Sequence, residues 1–193
     1  DRHTTEARIA GAEAELTRIL DADRYYVRVG GSEGTQIRGV PQHEYEIGRA
    51  DGNPLEIVFA FSPQPSNGPL PTFEEVRTAA SAHWQAFWQS GGAIDFSQCT
   101  DPRAGELERR VVLSQYLMAV NCSGDRPPQE TGLVYNSWFG KFHLEMHWWH
   151  GVHFALWDRL PLLERSLAWY ESILPAARAT AQLQGYAGVR WPK

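Results

Sequence analysis

Two periods of hydrophobic alternation divide the chain. Through the first sixty residues, β-branched and aromatic side chains gather in short runs separated by Gly, Asn, Asp and Pro, the pattern of strands joined by turns. Residues 55–61, Leu-Glu-Ile-Val-Phe-Ala-Phe, alternate most clearly, and the spacing predicts a strand that buries Leu55, Ile57, Phe59 and Phe61 on one face. A run at 24–29 ends in Gly30-Gly31, and Asp51-Gly52-Asn53-Pro54 is a turn signal between a strand at 45–49 and the one at 55. Antiparallel β-structure is therefore expected. Residues 62–71, Ser-Pro-Gln-Pro-Ser-Asn-Gly-Pro-Leu-Pro, then stop both helix and ladder and predict an extended crossing segment.

Beyond that segment the period becomes 3.6. Thr72-Phe73-Glu74-Glu75 has the spacing of a capping box and predicts a helix over 72–90, with Val76, Ala80, Trp84, Phe87 and Trp88 on one apolar stripe and Gly91-Gly92 ending it. A second helix is predicted from Asp101-Pro102 to about 121. Its Leu107, Val111, Tyr116, Met118 and Val120, with Val112, Leu113 and Leu117, leave so little polar face in the second half that neighbours should enclose that half. A third helix is predicted over 142–157, and a fourth from Pro161 that Pro175 should break or kink before Gly185 ends it. The expected class is α+β with more than one domain. Residues 1–63 read as antiparallel strands, 64–95 as a proline-rich segment with the first helix, and 96–193 as helical hairpins.

Composition narrows the function. A net charge of −5 over 193 residues gives no basic field for nucleic acid or an anionic membrane. No uncharged apolar run approaches the roughly 18 residues that span a bilayer. The opening Asp1-Arg2-His3-Thr4-Thr5 is polar, so a soluble chain is expected, cytoplasmic or secreted after signal removal. Cys99 and Cys122 fit neither a disulfide framework nor a closed zinc site.

Aromatic residues make up 12% of the chain, and they concentrate with histidine between Trp138 and Asp158. On one helix His143, His147, His150, Phe154 and Trp157 would share a stripe. Imidazoles supply directional hydrogen bonds and indole or phenyl rings supply apolar faces, a pairing suited to sugars. The competing reading is a set of satisfied helix histidines in an aromatic core. Zinc is the sharpest chemical rival, because His at i and i+4 can share a metal. Leu144 stands where the metalloprotease pattern has Glu, and Glu145 would point roughly 160–200° from the His143–His147 stripe, so no metal and no cofactor are assigned. The substrate-binding candidates are Trp138, Phe142, His143, Glu145, His147, Trp148 and His150, with Asn136 and Lys141 flanking them.

The stretch Leu174-Pro175-Ala176-Ala177-Arg178, then Ala181 and Gly185-Tyr186-Ala187-Gly188-Val189-Arg190-Trp191-Pro192, resembles a helix and Gly-Tyr-x-Gly-x-x-x-Pro turn of the trehalose and maltose phosphorylase family, glycoside hydrolase family sixty-five. That resemblance implies a six-hairpin glycosidase: a β-sandwich, a helical linker and an α/α toroid of six helix pairs, acting on α-glucosides with inversion. The implied partners are a carbohydrate substrate, inorganic phosphate in the phosphorylases, and the remainder of its own polypeptide. Where the family has an aromatic-Trp-Asp-x-Glu segment in the sugar subsite, the resemblance places Glu145 at the Asp position and His147 at the Glu position. The family's general acid lies on a later helix beyond Lys193, so no catalytic residue is assigned and the isolated chain is expected to be inactive. Twelve helices with connections need well over about 150 residues, against the 101 that follow Gly92. A fragment of the toroid is therefore expected. The alternative is a non-enzymatic helical domain that binds sugar or another protein.

Overall fold

The structure, a computed structural model, describes residues 3–41, 43–135 and 137–191. Among the described residues six strands precede five α-helices, an α+β chain. No helix among them is long and apolar enough to cross a membrane. Packing divides the chain into two units, Asp1–Gln85 and Ala86–Lys193.

In the first unit, β1 (His3–Ala10), β2 (Glu13–Leu20), β3 (Asp23–Gly31) and β6 (Ile57–Ser62) form an antiparallel sheet in the order β1-β2-β3-β6. Between β3 and β6, β4 (Thr35–Val40) and β5 (Glu44–Arg49) form a separate hairpin. Register decides which residues meet. Val29 lies opposite Ala14 and Phe59, and Val27 opposite Leu16 and Phe61, so these residues share one apolar face. Ile37 of the hairpin completes a buried cluster with Ala14, Val27 and Val29, and Leu16, Tyr25, Ile47 and Ile57 pack around it.

That cover does not extend over the edge strand. Phe59 is 51% and Phe61 70% exposed, Leu55 precedes the strand and is exposed, and Val58 on the other face is buried. The expected burial of Leu55, Ile57, Phe59 and Phe61 is therefore corrected: Ile57, Phe59 and Phe61 do share a face, but only Ile57 is partly covered. The proline segment instead runs over the opposite face. There Leu70 lies against Gly30, where an added Cβ would sit 3.1 Å from its Cδ1, and the Arg28 guanidinium donates to the Gly68 carbonyl.

Helix α1 (Phe73–Gln89) starts on the capping box read from the sequence. The Glu75 N–H donates to Thr72 Oγ1 at 3.2 Å and the Thr72 N–H to Glu75 Oε2 at 2.7 Å. These bonds satisfy two of the free amides at the helix start and hold the Glu75 carboxyl below its ordinary range. Of the expected stripe, Phe87 is buried, Trp84 and Trp88 are half-buried, and Val76 and Ala80 are exposed.

The second unit holds α2 (Ala104–Cys122), α3 (Leu144–Leu156), α4 (Leu160–Ser172) and α5 (Leu174–Leu183). α2 begins beyond Asp101, whose carboxylate accepts the Arg103 N–H at 2.8 Å and so ends the preceding turn. It buries one stripe, Ala104, Gln115, Ala119 and Cys122. Val112, Leu113, Tyr116, Leu117 and Val120 are exposed, which corrects the expected enclosure. Pro175 does not kink a long helix: α4 stops before Ile173, and the proline sits in the first turn of α5, where its missing N–H costs nothing.

Arg159 joins these elements. It is 4% exposed, faces no carboxylate within ion-pair distance among the described residues, and stacks 4.3 Å from the Phe87 ring centre. Its guanidinium donates to Gln115 Oε1 at 2.6 Å and to the carbonyls of Phe87 and Gly92 at 3.3 Å. Burial pushes its pKa down. The Phe87 carbonyl lies in the last turn of α1 and carries part of the negative end of that helix dipole, so with the Gly92 carbonyl and the Gln115 amide oxygen it serves in place of a counter-ion. Beside it the Gly92 N–H donates to the Trp157 carbonyl at 2.7 Å, and Gly91 has φ +70°, with room for no side chain against that same carbonyl. Arg159→Met should therefore lower stability by roughly 2–4 kcal/mol, from lost charged hydrogen bonds and acceptors left buried. Urea denaturation followed by tryptophan fluorescence checks this; a loss below about 0.5 kcal/mol would show that the junction does not depend on the guanidinium.

Candidate functional site

Helix α3 begins at Leu144, later than the periodicity predicts, and His143 is its extended N-cap residue with φ −116° and ψ 128°. That difference rearranges the expected stripe. His143 does not share a helix face with His147, and its side chain instead lines a cavity with Glu145, from which the helical reading had separated it. Trp138, Phe142, Glu130 and Lys141 line the same cavity, whose volume is about 660 Å³.

The segment before His143 is shaped by unusual backbone. Trp138, Phe139 and Gly140 have φ of 49°, 61° and 69°, a left-handed turn closed by the Gly140 N–H donating to Ser137 O and the Lys141 N–H to Trp138 O. Glycine adopts that conformation freely, whereas the two aromatic residues pay roughly 1–2 kcal/mol each. Such strain persists only where surrounding contacts over-determine it. Here the contacts are visible: Trp138 packs edge-on to His143 at 5.6 Å, Phe142 edge-on to Trp169 at 5.0 Å, and Lys141 sits 5.9 Å from the Phe139 ring centre.

Glu130 ties this loop to the helix. Its N–H donates to the Lys141 carbonyl at 3.3 Å, and its own carbonyl accepts from His150 Nε2 at 3.0 Å. Its carboxylate lies 2.5 Å from His143 Nδ1, with both side chains about a quarter exposed. A carboxylate accepts, so Nδ1 carries the proton of this bond and the His143 orientation is set. The cavity thus offers a carboxylate–imidazole pair, a second carboxylate in Glu145, an ammonium in Lys141, and the rings of Trp138 and Phe142.

The remaining candidates are elsewhere. His147 is 5% exposed and spends both ring nitrogens, 2.8 Å from Tyr170 Oη and 2.8 Å from Ser166 Oγ. Ser166 Oγ in turn donates to the Leu163 carbonyl at 2.9 Å. The bonds run in one direction: Tyr170 O–H to His147 Nδ1, His147 Nε2–H to Ser166 Oγ, Ser166 O–H to Leu163 O. This chain locks α3 to α4. His150 is buried against the Glu130 carbonyl, so it supports the cavity from behind, with Nδ1 unpartnered among the described residues. Trp148 is 62% exposed and does not line the cavity. Asn136 lies outside the described residues. The structure therefore unites Trp138, Phe142, His143 and Glu145 and leaves out His147, Trp148 and His150. Sequence reasoning missed Glu130, which lies thirteen positions before His143 with no spacing signal between them.

Among the described residues no group of three His, Cys, Asp or Glu side chains could hold a metal ion. Cys122 is buried, and desolvation lifts its thiol to about 11, which leaves it unreactive.

Burial, with the neighbouring His150 charge, lowers the pKa of His147, and burial is also the largest cause lowering that of His153. The unfolded chain therefore binds more protons than the folded one as pH falls below about 6.5. Stability contributed by these neutral imidazoles should be complete above that value and decline as pH falls toward their lowered folded values. Denaturation midpoints at pH 7.5 and 5.0 check this, and His147→Gln should flatten part of the slope. An unchanged slope in that variant would contradict the burial argument.

Comparison of the chain with protein-family models, with curated proteins and with solved structures finds no match.

Proposed function

We propose that the helical unit binds carbohydrate in the cavity of Glu130, Trp138, Lys141, Phe142, His143 and Glu145. One observation carries this reading: an exposed indole and a phenyl ring border the same cavity as two carboxylates, an imidazole and an ammonium. Sugar rings present C–H faces that stack on aromatic rings and hydroxyls that both donate and accept. In this assignment Trp138 is the stacking face, Glu130 and Glu145 accept hydroxyl protons, and Lys141 donates. Its volume falls within the range of small-ligand sites.

The finer reading is that the chain is the opening part of an inverting α-glucoside hydrolase or phosphorylase, with a β-sandwich followed by the first hairpins of an α/α toroid. Its support is the resemblance of residues 174–192 together with the order of strands, proline segment and helices. Inversion needs a protonated carboxyl at the leaving oxygen and either a second carboxylate to activate water or phosphate as nucleophile. Lys141 is the cavity's cationic partner for phosphate, and the His143 imidazole can add a hydrogen bond. The general acid is assigned to polypeptide outside this chain, so the chain binds without turnover. A second reading, an interaction surface for another polypeptide, is favoured by the exposed apolar row of α2.

Isothermal titration with maltose, trehalose and kojibiose tests the proposal on the folded chain. Binding is expected with millimolar or better affinity. Trp138→Ala and Glu145→Ala should each weaken it about tenfold, a change of about 1.4 kcal/mol, and Trp148→Ala should leave it unchanged. Absence of binding, or binding insensitive to the first two substitutions, would reject the site.

A further inference from the structure

A second cavity, of about 380 Å³, lies between α2 and α3 and shares no lining residue with the first. From α2 it takes Ser114, Gln115 and Met118, with Val111 and Arg110, whose guanidinium is paired with Glu106, at its edge, and from α3 and the turn after it Trp149, His153 and Trp157. Residues 149, 153 and 157 are spaced by four, so they climb one side of the helix. Glu145 is one further step of four back along that side, and it borders the first cavity. Its Cα is about 12 Å along the helix axis from that of His153, at about 1.5 Å per residue.

Two polar groups in this second cavity have their polarity fixed from behind. Gln115 is 6% exposed, and its amide oxygen receives the Arg159 guanidinium at 2.6 Å. A guanidinium only donates, so the amide orientation is set and the N–H₂ is what Gln115 has to offer the cavity. His153 Nε2 lies 3.0 Å from the His150 carbonyl, which only accepts. The proton of His153 is therefore on Nε2, and Nδ1 of the neutral ring is an acceptor. A fixed donor and a fixed acceptor thus share a cavity with the Ser114 hydroxyl, which can act as either. The open wall is the Trp149 indole, 66% exposed, with Trp157 beside it.

We infer that this groove is a second carbohydrate subsite on the same side of α3. Neighbouring hydroxyls of one sugar ring match the pair, one donating to His153 Nδ1 and the next accepting from Gln115, while the ring's C–H face covers Trp149. The buried Arg159 then has two tasks: it holds the α1, α2 and α4 junction, and it orients the amide that reads the sugar. The inference extends the carbohydrate reading of the first cavity, yet its residues are separate, so the two stand or fall on different signals.

The test is two-dimensional NMR of the ¹⁵N-labelled chain titrated with maltose and with the linear α-linked glucose tetrasaccharide, with adenosine as a ring-stacking control. Either sugar is expected to move the indole N–H signals of Trp149 and Trp157. Trp149→Ala should abolish the Trp157 response and leave any Trp138 response intact, and Trp138→Ala should do the reverse. The tetrasaccharide is expected to bind at least about tenfold more tightly than maltose, and Trp149→Ala should erase that gain. Trp138 moving while Trp149 and Trp157 stay still would overturn this inference and leave the first cavity standing. Trp149 and Trp157 moving alone would support the groove and reject the first cavity. Silence at all three would overturn both, and a response to adenosine in place of sugar would overturn the ligand class. Because Trp149 is a surface residue, matching amide spectra elsewhere show that its variant is folded.

Discussion

The three hydrogen bonds of Glu130 are the constraint on which the candidate site depends. One side of its peptide is held by Lys141, the other by the buried His150 imidazole, and its carboxylate holds His143. Together they pin a loop whose centre runs through consecutive left-handed residues, two of them aromatic. A single such residue is a modest cost, but two with Cβ atoms require compensation from neighbours. The compensation is local and specific: an indole against an imidazole, a phenyl against Trp169, a bond from His150 on α3. Strain therefore sits where the cavity is, and the helix behind it is ordinary.

That helix is anchored by polar groups more than by bulk. Among the described residues Phe154 and Ser166 are the largest side chains fully buried, the Tyr170–His147–Ser166 chain ties α3 to α4, and the Arg159 hub at the start of α4 holds α1 and α2. Such networks are costly when half-satisfied and specific when complete. They also explain why histidines rich in ligand chemistry can be structural. His147 and His150 fix the frame, while His143, at the start of the same sequence pattern, lines the cavity against Glu130 and Trp138.

Much of the frame was legible in the sequence. The Thr72–Glu75 box, the glycines after α1 and the switch from period two to 3.6 are local signals, and local hydrogen bonding decides them. Pro175 was legible as a break, and its role as a helix start follows from the same missing N–H. Burial was less legible, because it depends on what covers a face: Phe59 and Phe61 alternate correctly but lie beyond the hairpin that covers Val27 and Val29, and the apolar row of α2 is covered on one stripe alone. The site was legible in part. Trp138, Phe142, His143 and Glu145 stood out as candidates by residue type, but their convergence on one cavity was not legible, because periodicity extends a helix through His143 where the backbone is extended. Glu130 carried no signal, since its role arises from a fold-back across thirteen residues.

The most direct measurement is a crystal structure of the chain soaked with maltose. A glucose ring is expected to stack on Trp138, with hydroxyls within hydrogen-bond distance of Glu130 or Glu145, and the left-handed turn at 138–140 is expected to be the same with and without the sugar. A soaked crystal in which that cavity stays empty while Trp138 is free of lattice contacts, or in which 138–140 is not left-handed, would contradict that expectation.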